Sequence, residues 1–298
     1  MLRIGMIGSD SSHADRFAEI LNRPDHPSYQ ADADARIVAI WGAEVERTAQ
    51  VAQAHAITEI VTTPAALLGQ VDAVLCVSRH GGLHRVQVQP FLEAGVPTFV
   101  DKPLALTSDD ARAMLALARE SGAPFTSFST IRFSADTRRF VEMAKGLGGI
   151  RNGIYSGPAT RRNPYGGLLF YAIHSIELML LVQGPGVTWV QAVEAEAVDA
   201  GGNGAVTALC AWPDGATATL HYTVDAQYSF AITALGRGGT HHATLDINDC
   251  YRAGMRQILA CLRGGDSPVS PVEMLEAVQI GAAIEQSLVR AERVVLTA

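Results

Sequence analysis

The sequence lacks any excess of basic residues. Its 23 Lys and Arg are outnumbered by 30 Asp and Glu, for a formal net charge of −7. With no basic stripe to release phosphate counterions, no nucleic-acid partner is expected. Cysteine is scarce and scattered: Cys76, Cys210, Cys250 and Cys261 show no C-x-x-C spacing. Neither a zinc centre nor a disulfide framework is expected, and free thiols in a reducing compartment follow. No apolar run approaches the roughly 20 residues of a membrane span. The chain enters a strand directly, without a basic leader and apolar stretch. These absences predict a cytoplasmic protein with no membrane partner. The adjacent His241 and His242 alternate sides of a strand, so no metal site is expected.

What is present is an ordinary soluble composition, 48% hydrophobic and 18% charged over 298 residues, enough for two domains. The first 125 residues alternate apolar runs with amphipathic ones. "RIGMIG", "ARIVAIWG", "TEIVTT", "VDAVLCVS" and "VPTFVD" read as strands. "SSHADRFAEILN", "EVERTAQVAQAHA", "PAALLGQ", "GLHRVQVQPFLEAG" and "SDDARAMLALARESG" read as helices between or after them. In the second helix Val45, Ala49, Ala52 and Ala56 share the expected buried face. Such alternation predicts a doubly wound parallel sheet over 1–125. Residues 126–298 carry runs separated by turns, with "WPDGA" as a hairpin turn, and two closing helices. They predict an α+β domain with an open, mainly antiparallel sheet.

In "GMIGSDSSH", Gly8 ends a strand and opens a helix, the setting of a dinucleotide turn. Asp10 and His13 stand where the G-x-G-x-x-G fingerprint has its second and third glycines. Asp10 would repel phosphates unless it points away. Ser9, Ser11 and Ser12 offer hydroxyls and N–H donors in their place. The same turn could equally be an ordinary capped helix start. The ribose-binding carboxylate is expected at Gly42, where none exists. Trp41 either stacks on adenine or fills the edge of the core. In "VDKPL", Lys102 follows a buried strand at the carboxyl edge of the sheet. There it could bond a hydroxyl undergoing oxidation and lower its pKa, or be a solvated surface lysine. Arg161, Arg162 and Asn163 could bind an anionic substrate or form a solvated loop.

Taken together, "RIGMIG", "VDAVLCVS...LH", "LEAGVPTFVDKPLALT", "GGLLFYAIHSIELML" and the closing "RAERVVL" resemble the glucose-fructose oxidoreductase / inositol dehydrogenase (Gfo/Idh/MocA) family. The resemblance implies a Rossmann domain and a C-terminal sheet used in oligomer contacts. The implied reaction is NAD- or NADP-dependent redox at a sugar, polyol or sugar-acid carbon, in a homodimer or homotetramer. Lys102 falls on the family's catalytic lysine and Asp101 on its acidic neighbour near the nicotinamide ribose, where the family usually has glutamate. Ser78, His80 and His84 fall in its Thr-Pro-Asn-x-x-His loop, here one residue longer and without proline. His174 falls on the histidine that acts as base or orients the substrate, the alternative being a core histidine bonded to backbone. Tyr165 and Tyr171 are alternative proton carriers, Tyr171 also a substrate contact, or else buried packing residues. The aspartate expected four residues earlier is Phe170, and Glu177 could orient the imidazole instead. With these departures two readings stand: a working dehydrogenase, or a non-catalytic sensor or scaffold of the same fold.

Overall fold

The computed structural model describes residues 1–296. The chain forms two compact units, neither contiguous in sequence. The first comprises Met1–Ala105, Asp109–Thr130 and Tyr251–Ser270; the second comprises Leu106–Ser108, Ile131–Cys250 and the chain from Pro271 onward.

The first unit is built on six parallel strands: β1 (Leu2–Ile7), β2 (Ala35–Trp41), β3 (Glu59–Ile60), β4 (Ala73–Cys76), β5 (Thr98–Val100) and β6 (Phe125–Ser127), in spatial order β3-β2-β1-β4-β5-β6. Strand β4 reads Ala-Val-Leu-Cys and is buried throughout, as a central parallel strand covered on both faces must be. The strand order reverses between β1 and β4, so the loops after them flank the topological switch point. The covering helices are α1 (Ser12–Asn22), α2 (Val45–Ala54), α3 (His84–Glu93) and α4 (Ser108–Ser121). Helix α1 buries Phe17, Ile20 and Leu21, as its spacing predicts. Helix α2 does not bury the expected face. Val45 is 80% exposed and Ala49 and Ala56 are exposed, whereas Thr48, Val51 and Ala52 are buried. The helix is rotated because Arg47 and Thr48 reach the turn after β1, a polar demand that apolar periodicity does not register. "PAALLGQ" forms a 3₁₀ turn (Pro64–Leu67) rather than an α-helix.

The second unit contains α5 (Ala135–Lys145), β7 (Ile150–Pro158), α6 (Leu169–Gln183), β8 (Trp189–Glu194), β9 (Val206–Ala211), β10 (Thr217–Thr223), β11 (Ala231–Gly236) and β12 (Gly239–Thr244). Helix α7 (Cys250–Leu262) then runs almost wholly in the first unit, before α8 (Pro271–Arg290) and β13 (Val294–Val295) complete the second. Its seven strands lie in the order β12-β11-β7-β10-β9-β8-β13, antiparallel except for β7 beside β10. Val190, Ala208, Leu220, Tyr155 and Ile232 are wholly buried on the inner face, where α6 packs on β7 and α8 on β8. The buried Arg132 guanidinium ties α6 to α8. It lies 2.6 Å from a Glu273 oxygen and 3.9 Å from a Glu177 oxygen, and donates to the Glu177 carbonyl at 3.1 Å.

Candidate active site

The turn after β1 is shaped by close approach. Gly8 has φ +101°, and a Cβ there would lie 2.4 Å from the Ser78 backbone nitrogen. Only glycine lets the β1 and β4 loops meet so closely. Gly42 is a second such point, because its Cβ would lie 2.1 Å from Ser9 Oγ and 2.3 Å from Thr48 Oγ1. Thr48 donates to the Glu44 carbonyl at 2.7 Å, so the buried Ser9 hydroxyl is the donor in the 2.9 Å Ser9–Thr48 bond. Its one proton is committed to the protein, not offered to a phosphate. Arg47 donates to the Ser9 carbonyl at 3.1 Å and pairs with Asp15, whose other oxygen faces His55. Ser11 caps α1 by accepting from the His13 N–H at 3.1 Å, and Ser12 is exposed beside it. Asp10 is turned toward the β4 loop, accepting from the Arg79 N–H at 3.2 and 3.3 Å. The half-exposed Trp41 donates its indole N–H to the Thr62 carbonyl at 3.3 Å.

The segment after β5 is equally constrained. Lys102 is buried, 7% exposed, and precedes a cis Pro103. Asp101 is also buried; one carboxylate oxygen accepts from the Lys102 N–H at 2.8 Å, and the other meets His13 Nδ1 at 2.5 Å. Burial pushes the Asp101 carboxyl up, but His13, by charge and hydrogen bond, and then Lys102 outweigh it and hold the group below the ordinary carboxylate range. His84, wholly buried, clamps the two loops: Nε2 meets the Ser78 carbonyl at 2.8 Å, and Nδ1 meets the Pro103 and Leu104 carbonyls at 3.0 and 3.2 Å. His80 Nδ1 accepts from the Gly82 N–H, starting the turn before α3. Gly8, Asp10, Ser78, His84, Asp101 and Lys102 thus gather at one sheet edge of the first unit.

In the second unit, α6 carries His174, 6% exposed, among aromatic rings. Its ring centroid is 6.1 Å from Tyr171 and 5.5 Å from Phe230, and Tyr228 contacts both of those rings. Phe170 lies between Tyr165 and Tyr171, tilted to the first ring at 5.5 Å and edge-on to the second at 4.8 Å between centroids. Glu177 faces Arg132. Arg161 is occupied within the unit: Nε donates to Glu285 at 2.9 Å and Nη1 to Glu194 at 3.0 Å. Those carboxylates raise its pKa and neutralise the charge that the sequence offered to a substrate acid. Arg162 donates its guanidinium to the Gly201 carbonyl and its N–H to Asn203, and Asn163 accepts from the Tyr165 N–H. The loop is a folded polar junction with its hydrogen bonds turned inward.

The six-stranded parallel sheet that carries the Gly8 turn and the Asp101-Lys102-Pro103 segment lies within the stretch that one family model matches. Residues 2–128 match it: GFO_IDH_MocA, the oxidoreductase family with an NAD-binding Rossmann fold. This segment is similar to that family's Rossmann portion. Among curated relatives, the 1,5-anhydro-D-fructose reductase of Ensifer adhaerens is 36% identical over 104 residues, 34% of this chain and 31% of that protein. The inositol 2-dehydrogenase of Corynebacterium glutamicum strain R is 31% identical over 135 residues, 44% of this chain and 37% of that protein. The chain's match thus spans about a third of the relatives' length. The fold extends further. The structure of scyllo-inositol dehydrogenase from Lactobacillus casei with NAD(H) and scyllo-inositol superposes with a TM-score of 0.86 over 99% of both chains, at 15% identity.

The residues present fit a dinucleotide at the β1 turn. The Gly8 approach brings the two switch-point loops together, helix α1 begins beside them, and the Asp10 charge is tied to the Arg79 N–H. Sequence reasoning missed two supports of this turn. His13 was visible only as a missing glycine, and Thr48 only as a polar residue in an amphipathic helix.

Proposed function

We propose that the chain is an NAD(P)-dependent oxidoreductase acting at a hydroxyl-bearing carbon of a sugar or polyol. The carrying observation is Lys102: a buried lysine at the carboxyl end of a central parallel strand, in the same unit as the Gly8 turn. Gly8, Ser11, Ser12 and Ser78 hold the cofactor, with Trp41 toward its adenosine end. A bound nicotinamide supplies the hydride acceptor or donor. Lys102 hydrogen-bonds the reacting hydroxyl, and its positive charge makes that hydroxyl easier to deprotonate. His174 takes the proton, and Tyr171 contacts the substrate. The absence of a carboxylate at Gly42 leaves both NAD(H) and NADP(H) admissible. The compensated Arg161 supports a neutral substrate over a sugar acid. The half-exposed outer face of the second sheet, with Thr207, Leu209 and Thr219, supports a homodimer or homotetramer, which light scattering measures.

The test is a fluorescence titration with NADH and NADPH, followed by an absorbance screen of sugars, polyols and sugar acids. Binding of either nucleotide with turnover of a neutral polyol is expected. Lys102→Ala should abolish turnover and largely spare nucleotide affinity. Equal activity in that variant rejects the role of Lys102, and failure of both nucleotides to bind leaves the non-catalytic sensor reading in its place.

A further inference from the structure

Position 13 is where the dinucleotide fingerprint has its third glycine, a residue whose lack of side chain lets helix and strand pack closely. Here a histidine fills that space and reaches from the first turn of α1 to the end of β5, across the position of β4. The residue it meets is an aspartate, one methylene shorter than the glutamate the family usually carries. The two departures meet: the imidazole of one contacts the carboxylate of the other.

We propose that His13 is a positioning residue for Lys102: its Nδ1–H anchors one oxygen of Asp101, so that the other is fixed as acceptor for the Lys102 amide. The contacts at 2.5 and 2.8 Å run in series, from helix to carboxylate to lysine backbone. An ionised carboxylate only accepts, so Nδ1 carries the proton. The depressed Asp101 pKa agrees with this charge-assisted arrangement. The ring is held on its flanks by Phe17 at 5.8 Å and Tyr251 at 5.1 Å between centroids. The other charge that bears on this carboxylate is the Lys102 ammonium, on its own segment; Asp101 in turn, with Asp10 and burial, pushes the Cys76 thiol up and keeps it neutral. Without the imidazole, the carboxylate is free to rotate toward the Lys102 ammonium and quench the charge that the reaction uses. The inference rests on the proposed role of Lys102, but its geometry can be read without turnover.

The sequence provides the means. Lys102 and Lys145 are its only lysines, and Lys145 lies exposed on α5 beside Glu142. Protein labelled with ¹⁵N-lysine therefore gives two backbone amide signals, one at the site and one an internal control. His13→Leu keeps apolar bulk between Phe17 and Tyr251 but removes the donor; His13→Asn supplies an amide N–H close to the position of Nδ1. The Lys102 signal should move in His13→Leu, return toward its wild-type position in His13→Asn, and leave Lys145 unchanged throughout. Turnover of whichever polyol the screen identifies should fall on the order of 100-fold in His13→Leu, the effect of a small misplacement, and recover in His13→Asn. NADH affinity should change little. A Lys102 signal unmoved in His13→Leu, or moved equally in both variants, overturns the proposal. Should His13→Leu not fold, Asp101→Asn must move the same signal, and its failure to do so overturns the proposal equally. If wild-type protein binds no nucleotide while the signals behave as expected, it is the redox reading that fails, not the positioning role.

Discussion

Restoring a ribose-binding carboxylate at position 42 is the obvious way to impose NAD selectivity, and the structure predicts that it fails as a single change. Even Gly42→Ala places a Cβ 2.1 Å from Ser9 Oγ, 2.3 Å from Thr48 Oγ1 and 2.9 Å from Ser9 Cβ. Both hydroxyls are buried and bonded to each other at 2.9 Å. Displacing them leaves polar groups unpaired at a cost of about 1–3 kcal/mol. Shifting the end of β2 instead adds overpacking of a similar size, about 1–3 kcal/mol. A destabilisation of about 3 kcal/mol is therefore expected for Gly42→Ala in urea unfolding, with an unchanged denaturant slope. Ser9→Gly with Thr48→Ala removes all three obstructing atoms. In that background Gly42→Ala should cost less than about 1 kcal/mol, and Gly42→Asp should shift the NADH-to-NADPH affinity ratio toward NADH. A Gly42→Ala protein as stable as wild type, or one not rescued in the opened background, would refute the close-packing argument.

Gly8→Ala combines a positive φ with a Cβ 2.4 Å from main-chain nitrogen, which cannot swing aside; about 2–4 kcal/mol of stability and the NADH fluorescence signal should both be lost. Arg132→Met strips the counter-ion from buried Glu177 and partly buried Glu273 and should cost about 3–5 kcal/mol in chemical denaturation. Adding Glu273→Leu should return part of that loss. Because the Asp101 pKa is depressed in the folded protein, its contribution to stability is complete above the ordinary carboxylate value of about 4. It drains away as pH falls through the lower folded value. Asp101→Asn should therefore lower stability at neutral pH and flatten the acid limb of a pH–stability curve, and parallel curves would contradict the assignment.

The first sheet was legible because its signal is local. "VDAVLCVS" has no polar interruption, and Phe17, Ile20 and Leu21 repeat at helical spacing. Strands β6 and β7 were not read: "FTS" is three residues long, and "IRNGIYSGP" carries two glycines and a proline. Strand β7 pairs in parallel with β10, a partner far away in sequence that no turn signal announces. At the candidate site, the places of Gly8 after β1 and of Lys102 after β5 could be read from chain position. The His13–Asp101 contact spans 88 residues and the Ser9–Thr48 bond 39, so each becomes visible only when the sheet assembles them. Arg161 misled for the same reason: its carboxylate partners stand 33 and 124 residues downstream.

The interleaved order of the two units bears on how the protein comes off the ribosome. Tyr251–Ser270 belongs with the first unit, where Arg252 offers its carbonyl to Gln30, Arg263 donates to the Ala33 carbonyl, and Tyr251 meets Phe17. Synthesis must therefore reach Ser270 before the nucleotide half owns all its parts. Until then Phe17 of α1 and the chain at Gln30 and Ala33 wait without those partners, exposed to chaperones. Evolution faces the same geometry, because a single crossover between two genes cannot exchange one half without tearing a helix from the other.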